Sequence, residues 1–134
     1  MKIKLTKTSP EQLKTQPATL SGVVFGTVFS DHMFCMEWDD GKGWHSAQIK
    51  PYGPLKLEPS SMVLHYAQMS FEGLKAYKIE SGEHALFRPR ENFKRMNRTA
   101  QRMCLPQLDV EEMLDTLKQL LDRKSTRLNS SHSE

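Results

Sequence analysis

The sequence predicts a mixed α/β (α+β) architecture of mostly antiparallel strands with flanking helices, and three observations carry that reading. In the first, His32, Phe34, Met36 and Trp38 alternate with Met33, Cys35 and Glu37, the period of two that marks a strand. Asp39-Asp40-Gly41-Lys42-Gly43 then supplies turn residues, so Trp44 to Ile49 reads as the returning strand. Next, Phe93, Met96, Ala100 and Met103 or Cys104 recur at helical spacing behind Pro89, a residue suited to a first turn. Last, Asp109 and Glu112 stand three apart as an aspartate variant of the capping box, with Leu108 and Met113 placed for a hydrophobic staple. Met113, Leu114, Leu117, Leu120 and Leu121 then form one apolar face that must be buried.

The remaining elements follow in chain order. Residues 1–24 are polar, contain Pro10 and Pro17, and read as a loosely ordered arm ahead of a domain spanning 25–122. Pro51, Gly53 and Pro54 interrupt the chain before a short extended piece at Leu55-Lys56-Leu57. A helix is expected after Pro59-Ser60-Ser61, where a serine hydroxyl can cap free N–H groups. It gives way at Glu72-Gly73, and Leu74 to Ile79 turns strand-like. That arrangement places Tyr66 and Phe71 near one edge, where they serve either a pocket or the ordinary core. Glu80-Ser81-Gly82-Glu83 forms the tip of a hairpin leading to His84–Phe87. Arg95, Arg98 and Arg102 make a second stripe on the helix that follows. Residues 123–134 hold a single aliphatic side chain, Leu128, and no periodicity, the composition of a disordered tail.

Composition narrows the function. At 134 residues the chain is one domain at most, and 37% hydrophobic with 26% charged residues suits a soluble protein. No run approaches the roughly 18 apolar residues of a membrane span, and the N-terminus has no apolar segment of a secretory signal. Arg123, Lys124 and Arg127 against Glu134 supply +2 of the net +3, so no basic footprint for nucleic acid remains elsewhere. Cys35 and Cys104 lie far apart without a C-x-x-C pattern, which suggests reduced thiols and a cytoplasmic protein. The five histidines show neither an i, i+4 pair nor cysteine partners at ligand spacing, so no metal site is expected. There is also no glycine-rich phosphate loop and no G-x-S-x-G. Cofactor-free catalysis finds no support.

Three blocks resemble one family. Leu64-His65-Tyr66-Ala67-Gln68-Met69-Ser70-Phe71-Glu72-Gly73-Leu74-Lys75-Ala76-Tyr77 is similar to the signature stretch of branched-chain amino acid aminotransferases, pyridoxal-phosphate-dependent enzymes of fold type IV. FGTVFSDHM (Phe25 to Met33) and FRPRENFKRMNRTAQRMCLP (Phe87 to Pro106) resemble the same family, in the same order and at similar spacing. The resemblance covers roughly Phe25 to Leu121 and implies an incomplete small N-terminal domain of such an enzyme. Residues 123–134 depart from the family and resemble the translation of a sequencing-adapter oligonucleotide, a non-native tail.

The resemblance implies transfer of the amino group of leucine, isoleucine or valine to 2-oxoglutarate, with pyridoxal 5′-phosphate as cofactor and branched-chain amino acids and 2-oxo acids as partners. It also implies a role in branched-chain amino acid biosynthesis. The Schiff-base lysine and the carboxylate facing the pyridine nitrogen belong to the family's large domain, so no catalytic residue is assigned here and the fragment alone is expected to be inactive. Lys75, though inside the best block, takes no catalytic role. Arg95 matches the phosphate-anchoring arginine of the RPxxNxxRM-like block, a task suited to the planar donors of guanidinium. Lys94 stands where the family commonly has aspartate. Phe25, Tyr66 and Phe71 match substrate-pocket positions; the tyrosine is contributed across a dimer interface in the family, which implies a homodimer. Two other readings stay open: another fold-type IV enzyme, such as a D-amino acid aminotransferase or aminodeoxychorismate lyase, and a non-catalytic small-molecule-binding or interaction module.

Overall fold

The computed structural model describes residues 1–15, 17 and 21–130, with side chains described as far as residue 122. It is a mixed α/β structure whose chain divides into two compact units, Met1–Pro54 and Leu55–Glu134.

The first unit is a three-stranded sheet in the order β1-β3-β2, formed by Lys4–Leu5, His32–Asp39 (β2) and Gly43–Pro51 (β3). Strands β2 and β3 are the antiparallel hairpin that the alternation predicts, closed by Lys42 N–H donating to Asp39 O at 3.1 Å. The register shifts between Cys35 and Glu37, so Met36 faces both Ser46 and Ala47. Ser46 takes up the extra residue with φ of 55°, the left-handed geometry of one bulge type. The two inner residues of the central strand, Ala47 and Ile49, form the core, and Ile49 is 1% exposed.

Residues 1–15 are not the loose arm expected from their polarity. Lys4 and Leu5 pair in parallel with Gln48 and Ile49, extended by Thr6 N–H donating to Ile49 O at 2.9 Å. Asp31, nearly buried, accepts from Lys14 N–H at 2.8 Å through Oδ1, while its backbone carbonyl accepts from Thr8 Oγ1 at 3.1 Å. Thr8 N–H also donates to His32 Nε2 at 3.0 Å. The physical reason is the open edge of β3, whose unpaired backbone groups need partners. Lys14 Nζ sits 4.3 Å from the Tyr52 ring centroid, and Tyr52 stacks on Phe29. A short 3-10 turn, Pro10–Gln12, lies between these anchors.

The second unit begins with α1, Met62–His65, a single turn. Ser61 is its N-cap, as expected, but its side chain makes no capping hydrogen bond. The chain then runs without regular structure to β4 (Ala76–Lys78), which pairs antiparallel with β5 (His84–Leu86). The tip closes through Gly82 N–H to Ile79 O at 2.9 Å, and Gly82 has φ of 85°, a conformation glycine adopts without strain.

Helix α2, Pro89–Arg102, has proline in its first turn and buries Ala100. It ends in a Schellman-type stop, with Leu105 N–H donating to Ala100 O at 2.8 Å and Cys104 at φ of 57° where glycine is usual. Asn97 then clamps the connection in both directions. Its Nδ2 donates to Leu108 O and its Oδ1 accepts from Leu108 N–H, each at 2.8 Å. Helix α3, Val110–Ser130, starts at Asp109, whose Oδ1 accepts the Glu112 N–H at 2.9 Å. Met113 and Leu114 are buried, and Leu117, Leu120 and Leu121 are half-buried, so the predicted apolar face is the inward one.

The expected break at residue 123 is absent from the backbone, since α3 continues to Ser130. No glycine or proline interrupts residues 123–130, so an established helix can propagate through them. The rest of the expected tail, residues 131–134, lies outside the described residues.

Candidate functional site

Arg95 lies on the exposed face of α2 and is held by a residue that the sequence reading passed over as a chain break. Its Nε donates to Glu72 Oε2 at 2.8 Å, and Nη2 donates to Oε1 of the same carboxylate. Asn92, one helical turn before Arg95, donates from Nδ2 to Glu72 Oε1 at 3.0 Å and to Gly73 O at 2.9 Å. Gly73 N–H donates to Oε1 at 3.1 Å, the fourth donor to the carboxylate. A carboxylate held in this way is strongly favoured in its charged form. The Arg95 hydrogen bond, against the cost of burial and with help from Asn92 and Gly73, lowers the Glu72 pKa to about 2. The same contact pushes the guanidinium pKa of Arg95 further up.

The two partners differ in exposure. The Glu72 side chain is 9% exposed and that of Arg95 61%. Nη1 of Arg95 has no hydrogen-bond partner among the described residues, so the outer edge of the guanidinium faces solvent with donors to spare. Arg98 and Arg102, on the same stripe, have no ion pair among the described residues. Asn92 and Glu72 are therefore what set Arg95 apart from the other two. Asn92 stood in the sequence as the asparagine of the RPxxNxxRM-like block, and its spacing from Arg95 was the available signal.

Phe71 precedes Glu72 directly, and its ring reaches back over Gly73; a Cβ built there would lie 3.5 Å from the ring. Phe71 and Arg95 are thereby brought to one locus through Glu72. Tyr66 closes α1 on the same irregular segment, which Gln68 ties to the end of α2 by donating from Nε2 to Met103 O at 2.8 Å. Phe25 belongs to the first unit. The three aromatics are 101% (Phe25), 77% (Tyr66) and 84% (Phe71) exposed, so none serves as a core residue. Lys75 Nζ lies 5.4 Å from the Tyr77 ring centroid, a cation–π contact at the surface.

Two other features carry polar chemistry but do not include these residues. A groove of about 610 Å³ in the second unit is lined by the β4–β5 tip and by Arg90, Leu114, Lys118 and Leu121. On the first unit's hairpin, His45 Nε2 is 2.5 Å from Asp39 Oδ2 and Nδ1 is 2.8 Å from Ser46 Oγ. With Ser46 adjacent in sequence and set at the bulge, this array fastens the turn. Among the described residues, no group of three or more His, Cys, Asp or Glu side chains is placed to hold a metal ion.

No protein-family profile matches the chain. Individual relatives do. The chain is 48% identical over 120 residues to branched-chain-amino-acid transaminase 1 of Bacillus subtilis (strain 168), covering 90% of this chain and 33% of that protein. It is 51% identical over 112 residues to a probable branched-chain-amino-acid aminotransferase of Staphylococcus aureus (strain N315), covering 84% of this chain and 31% of that protein. A third relative, the cytosolic branched-chain-amino-acid aminotransferase of Saccharomyces cerevisiae (strain ATCC 204508 / S288c), is 45% identical over 122 residues, with 91% and 32% covered. The chain spans about a third of the length of these relatives. Over most of its own length, therefore, this chain is similar to about a third of a branched-chain-amino-acid aminotransferase.

Proposed function

We propose that this chain is part of a transaminase that moves the amino group of leucine, isoleucine or valine to 2-oxoglutarate, with pyridoxal 5′-phosphate as cofactor. The observation that carries the reading is the state of Arg95: a guanidinium held along one edge by Glu72, with its other edge exposed. A phosphate monoester bears close to two negative charges and needs aligned donors to replace its water. The outer Nη1/Nη2 edge offers two such N–H groups, so the residues present fit the phosphate of the cofactor. When bound, the cofactor supplies an electron sink for chemistry at the substrate α-carbon. The chain's own contribution is to bind and orient: Arg95 fixes the phosphate end, and Glu72 and Asn92 hold Arg95.

Phe25, Tyr66 and Phe71 are assigned to the substrate pocket. Their exposure supports this, because large aromatics left in water gain most by being covered, and a branched aliphatic side chain is a suitable cover. Tyr66 is assigned to a site shared between two copies, which makes the working protein a homodimer. A cytoplasmic location is supported by the name of the cytosolic yeast relative. It is also in keeping with the described helices, none of which is long and apolar enough to cross a membrane.

The test is spectroscopic titration of the apoprotein with pyridoxal phosphate, using the full gene product that contains this chain. Arg95→Ala is expected to weaken cofactor binding at least about tenfold, because it removes a bidentate charge-assisted contact. Arg95→Lys should recover only part of that, since a point charge lacks the second aligned donor. Arg98→Ala and Arg102→Ala should change binding little. Parent-like binding by Arg95→Ala, or a larger loss with Arg98→Ala, would show that the phosphate is anchored elsewhere.

A further inference from the structure

The contact between Glu72 and Arg95 is asymmetric. Glu72 takes the guanidinium from its side, through Nε at 2.8 Å and through Nη2. What remains is a second parallel pair of donors, on Nη1 and Nη2, pointing away from the carboxylate. Glu72 is itself fixed by Asn92 Nδ2 at 3.0 Å and by Gly73 N–H at 3.1 Å. A nearly buried carboxylate, held by four donors, thus grips an exposed arginine by one edge only.

From this geometry we propose that Glu72 is a positioning residue: it locks the Arg95 guanidinium side-on so that the outer edge is presented, already oriented, to the phosphate of the cofactor. The proposal rests on the reading of Arg95 as the phosphate anchor and adds the residue through which that anchor works.

Two effects of Glu72 oppose each other. An arginine side chain free to rotate must be immobilised when it binds, and Glu72 removes that cost in advance. Against this, a carboxylate near a phosphate repels it. The repulsion is the smaller effect here, because Arg95 pairs with the carboxylate directly and the outer edge is open to solvent, where charges are screened. Position also favours orientation. Glu72 acts on Nε and Nη2, so phosphate at the outer edge need not displace it.

The decisive experiment titrates the apo form of the full gene product with two probes, pyridoxal phosphate and pyridoxal, which lacks the phosphate. Glu72→Gln retains the volume but cannot accept from both guanidinium donors. It should weaken pyridoxal phosphate binding by about fivefold, the effect of freeing one rotamer-rich side chain. Pyridoxal binding should not change. In an Arg95→Ala background, Glu72→Gln should produce no further loss, because Glu72 acts only through Arg95. Glu72→Asp keeps the charge on a shorter arm and should also lose affinity for the phosphate-bearing probe alone; it serves if Glu72→Gln does not fold. Equal or tighter pyridoxal phosphate binding by the Glu72 variants overturns the proposal, as does equal loss for both probes or a full additional loss on top of Arg95→Ala. If Arg95→Ala alone has no effect, the anchor reading fails first. If Arg95→Ala weakens binding and the Glu72 variants do not, only the positioning role fails.

Discussion

A carboxylate with four donors around it titrates late, and Glu72 is the residue where this has a measurable consequence. Its pKa falls from 4.5 to about 2, chiefly through the Arg95 hydrogen bond. Because the folded-state value lies below the unfolded one, the stability Glu72 contributes is fully present above pH 4.5 and is lost as pH falls toward about 2. In denaturant melts, the parent should therefore exceed Glu72→Gln in stability above pH 4.5, and the gap should close between 4.5 and about 2. Other carboxylates titrate alike in both proteins and cancel from the difference. A gap independent of pH across that window would mean that the carboxylate charge contributes nothing. At this scale the sequence singles out Arg95 only by resemblance and is silent about the carboxylate that holds it. Glu72 is 23 residues from Arg95, and no local spacing rule joins an irregular segment to a helix face across that separation.

Individual elements were more legible, because their rules are local. The β2–β3 hairpin, the β4–β5 hairpin and helices α2 and α3 all follow from alternation, turn residues, Pro89 and the Asp109 cap. Asp109 should be worth about 1 kcal/mol to α3, so Asp109→Ala is expected to lower stability by that amount. Asp109→Asn should cost less, since the amide oxygen can still accept the Glu112 N–H. Thermal or denaturant melts decide it, and an Asp109→Ala variant as stable as the parent would show that the cap is dispensable. The elements that were misread have non-local causes. Residues 1–15 are ordered by the vacant edge of β3 and by Asp31, neither of which their own composition reveals. Residues 123–130 extend α3 because a helix already nucleated upstream needs no strong formers to continue. In α1 the opposite happens: one turn forms, and the segment then follows contacts made by Gln68, Glu72 and Gly73 instead of its helical propensity.

For the whole molecule, the share of the relatives covered matters more than any contact. The chain spans about a third of their length, and the role proposed for Arg95 and Glu72 is to bind and orient, not to move a proton at a substrate carbon. The 134-residue chain alone should therefore show no conversion of leucine and 2-oxoglutarate when pyridoxal phosphate is added. Turnover above the buffer rate would overturn this. Apolar groups such as Phe25, Tyr66, Phe71 and Phe87 are more than three-quarters exposed, an arrangement expected to promote association of the isolated chain at high concentration. What the sequence determined by itself was the class of fold and the kinds of element, while Arg95 and the aromatics Phe25, Tyr66 and Phe71 were singled out by resemblance to a family. The fold class and its elements are encoded in residue type and short-range period. Only the tertiary structure decided which arginine of the stripe is held, by which carboxylate, and with which edge left free. Those depend on donors and acceptors from distant segments meeting at one carboxylate, and on one side chain being buried while its partner stays in water.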